Sequence, residues 1–315
     1  MRTSIEVVQK VLGCEPPRSI WQKVLDYDAS HLFRLLQFVP YVSDVDPSPG
    51  DLSDYSNDIR YYKIQPDLFR CLFPLCLQAW RYGLLTPDAK RSYRVFVEHF
   101  LGALASRPFL EELLSNEEYE AVVTFIQDTI LDRLDQEECF SVSGWADSEH
   151  TYDWFHALRA FTTLFPSLER LWNEWWSIKT IGHAVAALKY MSCLRYVEDE
   201  NPFFGPWTHR HGGGPPELWA TACDWSCSWR SQNVSFLLST LTVDYIEEKL
   251  KQAVALLHGR VESDIPEKML HDFDIQRDIL AYRLDVFPRI LSSADLDFVQ
   301  KRVLWGWAHY NFPGL

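Results

Sequence analysis

Four side chains of the types that bind zinc occur in one Gly/Pro-rich part of the chain. His209 and His211 are followed, after 11 residues, by Cys223 and then by Cys227. Imidazole nitrogens and thiolates hold zinc tetrahedrally in structural sites. The spacing is not that of a zinc ribbon or finger, in which paired cysteines are typically closer together. These residues are candidate metal ligands, and the alternative is loop histidines with structural cysteines.

A His-Asp doublet, His271 followed by Asp272, stands within the sequence MLHDFD. It resembles the doublet of the helical HD-type metal phosphohydrolases. That resemblance implies that the two side chains hold a divalent cation that activates water. His258 lies upstream, and Asp278 or Asp285 lies downstream, where the family has further ligands. The alternative is a charge pair on a helix surface.

Carboxylates and imidazoles also cluster around a predicted helix start near position 151. Asp147, Glu149 and His150 come before it, and Asp153 and His156 are three residues apart on one face. An acid/base pair would account for this cluster, and so would the helix dipole, which favours carboxylates at an N-terminus. Phosphate-binding glycine loops and serine-hydrolase motifs are missing from the sequence. We therefore predict no cofactor and favour a protein without catalytic activity.

The composition indicates a folded protein with a substantial apolar core. The chain has 315 residues, of which 47% are hydrophobic and 23% are charged, with a net charge of −14. That acidity disfavours binding to nucleic acid, which depends on clustered Lys and Arg. The N-terminus does not have the pattern of a secretory signal, and no apolar stretch approaches the length of a membrane span. The seven dispersed cysteines do not suggest a disulfide framework, so we predict a cytoplasmic protein.

Helical periodicity dominates the chain and predicts an all-α fold. We expect an irregular domain of about ten helices with long Pro/Gly-rich loops, rather than a regular repeat solenoid. Ser115 and Glu118 form a capping-box pattern at the start of one helix, and Thr242 is a candidate N-cap for another that ends before Gly259. The prediction is a single domain over residues 1–315, with a weak subdivision allowed at 139–150.

Proline and tryptophan mark two further features. One predicted loop contains Pro47, Pro49 and Gly50, and a longer one covers residues 202–216. Nine of the thirteen tryptophans lie between positions 145 and 229. The helical spacing of three of these predicts core packing, whereas two others lie in loops and are candidates for exposed contacts. The core candidates are Trp172, Trp175 and Trp176, and the loop candidates are Trp145 and Trp207.

The negative charge is concentrated in one region. Residues 107–153 contain 13 acidic and two basic side chains, a net charge of −11, which leaves −3 for the rest of the chain. A helical wheel places four carboxylates of the helix after Ser115 on one face, opposite its apolar residues. These are Glu117, Asp128, Asp132 and Asp135. Phe125 falls at the edge of this face, where it would serve as an apolar anchor.

The leading hypothesis is a non-enzymatic protein that docks a basic protein partner through this acidic face. The acidic, helical character is similar to that of some bacterial immunity proteins, which suggests an immunity or antitoxin-like inhibitor. The alternative for the face itself is a solvated surface that maintains solubility. The second functional hypothesis is the metal-dependent hydrolase. The candidate partner-binding residues are Glu117, Glu118, Phe125, Asp128, Asp132, Asp135, Trp145, Asp147 and Trp207.

Overall fold

The structure is a computed structural model, and the described part of the chain is mostly helical. The described residues are 3–21, 30–41, 49–86, 91–106, 109–138, 161, 164–195 and 230–292. They form thirteen α-helices and one 3₁₀ turn, and they include no strand and no regular repeat. The predicted irregular all-α fold is therefore confirmed. None of these helices is both long and apolar enough to cross a membrane.

The chain forms two compact units, residues 1–132 and residues 133–315. The weak subdivision predicted at 139–150 lies outside the described residues, so the single-domain prediction stays a prediction. The helices of the first unit are α1 (Ile5–Leu12), α2 (Ser30–Leu36), α3 (Pro49–Tyr61), α4 (Pro66–Leu85), α5 (Arg91–Ser106) and α6 (Phe109–Leu113). Helix α7 (Asn116–Asp135) begins in the first unit and ends in the second.

Helix α3 begins at Pro49, where the sequence analysis predicted a loop. Proline is compatible with the first turn of a helix, because the amide it lacks has no acceptor there. Helix α4 also has a proline, Pro66, in its first turn, directly after Gln65. A proline in this sequence is therefore not by itself evidence of a loop, because it also opens helices.

The core of the first unit is built around α4, whose residues from Leu68 to Leu77 are all buried except for the half-buried Arg70. Aromatic rings join it to its neighbours. Phe69 stacks on Phe73 with ring centroids 4.6 Å apart, and Phe73 lies 5.9 Å from Phe100 of α5. Helix α5 also packs on α3. This apolar frame fixes the positions of the polar side chains that project from α4.

The second unit contains α8 (Glu169–Trp176), α9 (Ile181–Arg195), α10 (Ser231–Thr240), α11 (Val243–Leu257), α12 (Ile265–His271) and α13 (Phe273–Ser292). Helix α9 is its central element, because every described side chain from Gly182 to Arg195 is buried. Trp172 and Trp176 of α8 stack at 4.9 Å, and Trp175 lies 5.6 Å from Tyr190 of α9. The core prediction for these three tryptophans is confirmed.

Two predicted helix boundaries are present as side-chain caps. The backbone amide of Ser115 donates to the Glu118 carboxylate at 2.7 Å, and the amide of Glu118 donates to the Ser115 hydroxyl at 3.4 Å. Thr242 caps α11 by accepting a hydrogen bond from the amide of Tyr245. Gly259, at φ +68°, follows the end of α11. Local sequence signals therefore identify these helix ends correctly.

The start of α9 lies very close to the end of α7. A Cβ atom added at Gly182 would lie 2.4 Å from the carbonyl oxygen of Asp135. Thr180 strengthens this contact, because its hydroxyl donates to the Asp135 carboxylate at 2.8 Å and accepts from the amide of His183 at 3.1 Å. Glycine is therefore required at position 182 because of a close backbone approach.

Candidate functional site

The carboxylates of α6 and α7 divide into an inward set and an outward set. Glu118, Asp128 and Asp132 point towards other parts of the first unit and accept hydrogen bonds there. Four glutamates are exposed instead, on α6 and the first two turns of α7. They are Glu111, Glu112, Glu117 and Glu120, and we call them the acidic corner. The charge found in the sequence is therefore not one continuous surface.

Glu118 is held by Arg70 of α4. Both guanidinium nitrogens Nη1 and Nη2 donate to its carboxylate. The same guanidinium donates to the carbonyl of Leu12 at 2.9 Å and to the carbonyl of Leu113 at 3.2 Å. Arg70 thus joins the end of α1, the end of α6 and the start of α7. The predicted binding residue Glu118 is occupied within the fold.

Hydrogen bonds from Arg70 lower the pKa of Glu118 to about 2, and the amide and hydroxyl of Ser115 act in the same direction. Burial opposes the shift. A carboxyl whose pKa is lower in the folded state than in the unfolded state stabilises the fold above its unfolded pKa. That stabilisation is lost as the pH falls towards the folded value.

We expect the free energy of unfolding to fall more steeply between about pH 5 and pH 2 in the wild type than in Glu118→Gln. The extra loss should be about 1–2 kcal/mol once solvent screening is allowed for. Denaturant unfolding at a series of pH values measures it. Parallel pH profiles for the two proteins would contradict the pairing of Glu118 with Arg70.

Asp128 and Phe125 lie in the core, and the prediction that they belong to a docking surface is wrong. Asp128 is 4% exposed and accepts a hydrogen bond from the amide of Thr3 at 2.8 Å. Phe125 is 0% exposed, with the Arg81 guanidinium 5.8 Å from its ring centroid. The helical wheel placed these two residues at an exposed face, but α7 is buried on nearly all sides between Val122 and Leu131.

Asp132 and Asp135 also have partners within their own units. Arg81 donates to Asp132 at 2.9 Å and to the hydroxyl of Thr129 at 3.3 Å. Asp135 keeps 35% of its side chain exposed, but it accepts from Thr180 and lies 3.1 Å from Nε2 of His183. Both carboxylates therefore position helices, and Asp135 secures the start of α9.

Of the predicted partner-binding residues that the structure describes, Glu117 is exposed, as the docking hypothesis requires. Its neighbours in the acidic corner were not singled out, because the wheel gave weight to the middle of α7. Within the described part of the chain, Glu112, Glu117 and Glu120 are exposed and make no ion pair. Acidic residues at the N-terminal turns of helices are also favoured by the helix dipole. Trp145, Asp147 and Trp207 lie outside the described residues.

The predicted ligands of the HD-like site are not brought together. His271 is exposed, and Asp272 accepts from Lys268 at 2.7 Å. His258 lies 3.3 Å from Glu267, on the surface. Asp278 and Asp285 are exposed. Among the described residues, no group of three or more His, Cys, Asp or Glu side chains is arranged to hold a metal ion.

The remaining candidates lie outside the part of the chain that the structure describes. They are the zinc candidates His209, His211, Cys223 and Cys227, and the acid/base candidates Asp147, Glu149, His150, Asp153 and His156.

A disulfide joins Cys14, just after α1, to Cys71 of α4, with the two Cα atoms 4.6 Å apart. The sequence analysis found no sign of a disulfide framework, and it did not predict this single pair. The two residues are 57 positions apart, and no local pattern connects them. Disulfides persist in oxidising surroundings, so the pair removes one argument for the cytoplasmic prediction. Cys76 is a free, buried thiol, and burial raises its pKa.

The second unit contains a buried ionic group that the sequence analysis did not identify. Glu137 accepts from Arg133 at 2.8 Å and from Lys189 of α9. All three side chains are at most 8% exposed. Ions buried to this extent persist in proteins when they are paired, because each has lost its hydration. The group joins the segment after α7 to the central helix α9.

Comparison of the chain with protein-family models, with curated proteins and with solved structures gave no match.

Proposed function

We propose that the protein binds a protein partner with a basic surface, and that the acidic corner is its docking site. The observation that supports this is the contrast within one short region. Glu118, Asp128 and Asp132 have partners inside the first unit, whereas Glu112, Glu117 and Glu120 are exposed and make no ion pair among the described residues. Glu112, Glu117 and Glu120 therefore have charge available for a partner.

Electrostatic docking fits the position of this charge. Exposed carboxylates of one sign, gathered on neighbouring helices, produce a local field that steers an oppositely charged protein and favours correct orientation. The capping box and Arg70 fix the start of α7, so the backbone that carries Glu117 and Glu120 is held in place. A fixed array of charges loses less conformational freedom on binding than a mobile one.

The kind of partner follows from the same chemistry. A protein that itself binds phosphate, such as a nuclease, presents a groove lined by Lys and Arg. An acidic protein that occupies such a groove acts as its inhibitor. We therefore propose a binding protein that has no catalytic activity of its own. In the specific form of this proposal, the protein inhibits a cationic enzyme.

Charge reversal of the acidic corner tests the proposal. The variant carries Glu112→Lys, Glu117→Lys and Glu120→Lys, which reverse three exposed side chains. We expect it to retain less than about a tenth of the partner that the wild type captures from an extract at low salt. Raising the salt concentration should release the partner from the wild type, because the Debye length shortens from about 10 Å at 0.1 M to about 3 Å at 1 M.

A matched control changes the net charge equally at another place. Glu169→Lys, Glu248→Lys and Glu262→Lys reverse three exposed glutamates of the second unit. This control should capture the partner as the wild type does, and the captured protein, identified by mass spectrometry, should be basic. Equal capture by the two triple variants, or capture that does not depend on salt, would refute the acidic corner as the docking site.

A further inference from the structure

The segment that begins with α1 is attached to the first unit at several separate points. Thr3 donates to Asp128, and the side-chain amide of Gln9 donates to the carbonyl of Val39 at 2.7 Å. At its other end, Gln65 donates to the carbonyl of Ser19 at 2.8 Å and accepts from the amide of Trp21. The covalent attachment, Cys14–Cys71, lies between these two ends.

The disulfide is next to the side chain that secures the acidic corner. Arg70 directly precedes Cys71 in α4, and Leu12, whose carbonyl Arg70 binds, lies two positions before Cys14. The same guanidinium binds the carbonyl of Leu113 at the end of α6 and the carboxylate of Glu118 in the first turn of α7. The acidic corner lies on these two helices.

We propose that the Cys14–Cys71 disulfide controls the order of the acidic corner, and that Arg70 connects the two. This regulation rests on the proposed function of the corner. With the disulfide formed, the end of α1 is fixed and its carbonyl helps to orient the guanidinium. With the disulfide reduced, the end of α1 moves more freely, Arg70 loses a fixed acceptor, and α6 and the start of α7 become less ordered.

The chemical step is ordinary thiol–disulfide exchange with a dithiol reductant. Cys14 is half-buried and Cys71 is fully buried, so the thiolate of the reductant attacks the sulfur of Cys14. The sulfur of Cys71 leaves as a thiolate and takes up a proton. The second thiol of the reductant then releases Cys14. The protein gains two electrons and two protons, and the dithiol becomes a disulfide.

Hydrogen–deuterium exchange of the full chain measures the effect without any partner. Treatment with dithiothreitol should make the amides of residues 109–120 exchange at least about fivefold faster, while those of α5 (Arg91–Ser106) remain protected. The double variant Cys14→Ala/Cys71→Ala should give the same result without reductant. In Arg70→Met the corner should exchange rapidly in the oxidised protein, and reduction should add little.

Two results would overturn the proposal. One is unchanged exchange at residues 109–120 when mass spectrometry shows that both thiols are free. The other is loss of protection throughout α5 as well, since the disulfide would then support the whole unit rather than control the corner.

Capture of the basic partner supplies a separate readout. We expect Cys14→Ala/Cys71→Ala to bind about fivefold to tenfold less partner than the oxidised wild type. If the charge-reversed triple variant captures partner normally, the proposed function is wrong, and the exchange data still decide whether the disulfide controls the corner. If exchange is unchanged but charge reversal abolishes capture, the function stands and the redox control is wrong.

Discussion

Replacing Gly182 with alanine should lower the free energy of unfolding of the second unit by about 3 kcal/mol. A glycine-to-alanine change within a helix is normally stabilising, by up to about 1 kcal/mol, because alanine restricts the unfolded chain. Here the new methyl group would lie 2.4–2.5 Å from backbone atoms of Leu134 and Asp135. A backbone cannot move aside as a side chain can, so the end of α7 and the start of α9 must separate.

Gly83→Ala is the matched control, since it also lies inside a helix. Its added methyl group would meet a methyl carbon of Val97 at 3.0 Å, and that side chain can shift by a few tenths of an ångström. We expect Gly83→Ala to stay within about 1 kcal/mol of the wild type. Denaturant unfolding followed by tryptophan fluorescence measures both, because Trp172, Trp175 and Trp176 lie in the unit of Gly182 and the buried Trp80 lies in the unit of Gly83. Equal midpoints for Gly182→Ala and the wild type would contradict the close approach.

Glu137→Gln should destabilise the second unit by about 3–5 kcal/mol. The substitution preserves the shape of the side chain but removes the negative charge that Arg133 and Lys189 both contact. Two buried cations would then face a neutral amide, which repays little of the hydration they have lost. Breaking a buried ionic group on one side therefore costs much more than the group contributes as a whole.

The neighbouring residue supplies the control. Glu138 is exposed, so Glu138→Gln should change the free energy of unfolding by no more than about 0.5 kcal/mol. Adding Lys189→Met to Glu137→Gln should recover part of the lost stability, because one of the two cations is then removed as well. Additive losses in that double variant would show that the two side chains are not energetically coupled.

Much of the fold is predictable because helix signals are local. The capping box at Ser115 and Glu118 and the N-cap at Thr242 each involve groups three residues apart. Pro74 lies inside α4, where proline disfavours a helix, yet the helix continues to Leu85. Every residue from Cys71 to Leu77 is buried, and this packing offsets the hydrogen bond that proline removes.

The candidate site was predicted less well because its contacts are remote in sequence. Asp128 receives its hydrogen bond from Thr3, 125 positions away, and Asp132 receives its bond from Arg81, 51 positions away. A helical wheel records which side chains share a face, but not whether that face is covered. Helix α7 has carboxylates on a covered face, and each of them has its own partner. In the sequence alone, such a face cannot be distinguished from a solvated one.

The hydrogen bond from Thr3 to Asp128 also bears on how the first unit is completed during synthesis. The donor leaves the ribosome more than a hundred residues before its acceptor, and the unit ends only four residues later, at Asp132. Contacts between distant parts of a chain form late and slow the folding that depends on them. Helix α1 can pack on α4 before Asp128 emerges, but the amide of Thr3 has to wait for its acceptor. The residues just before α1 are therefore fixed late, because their acceptor Asp128 is made well after α4, the helix on which α1 packs.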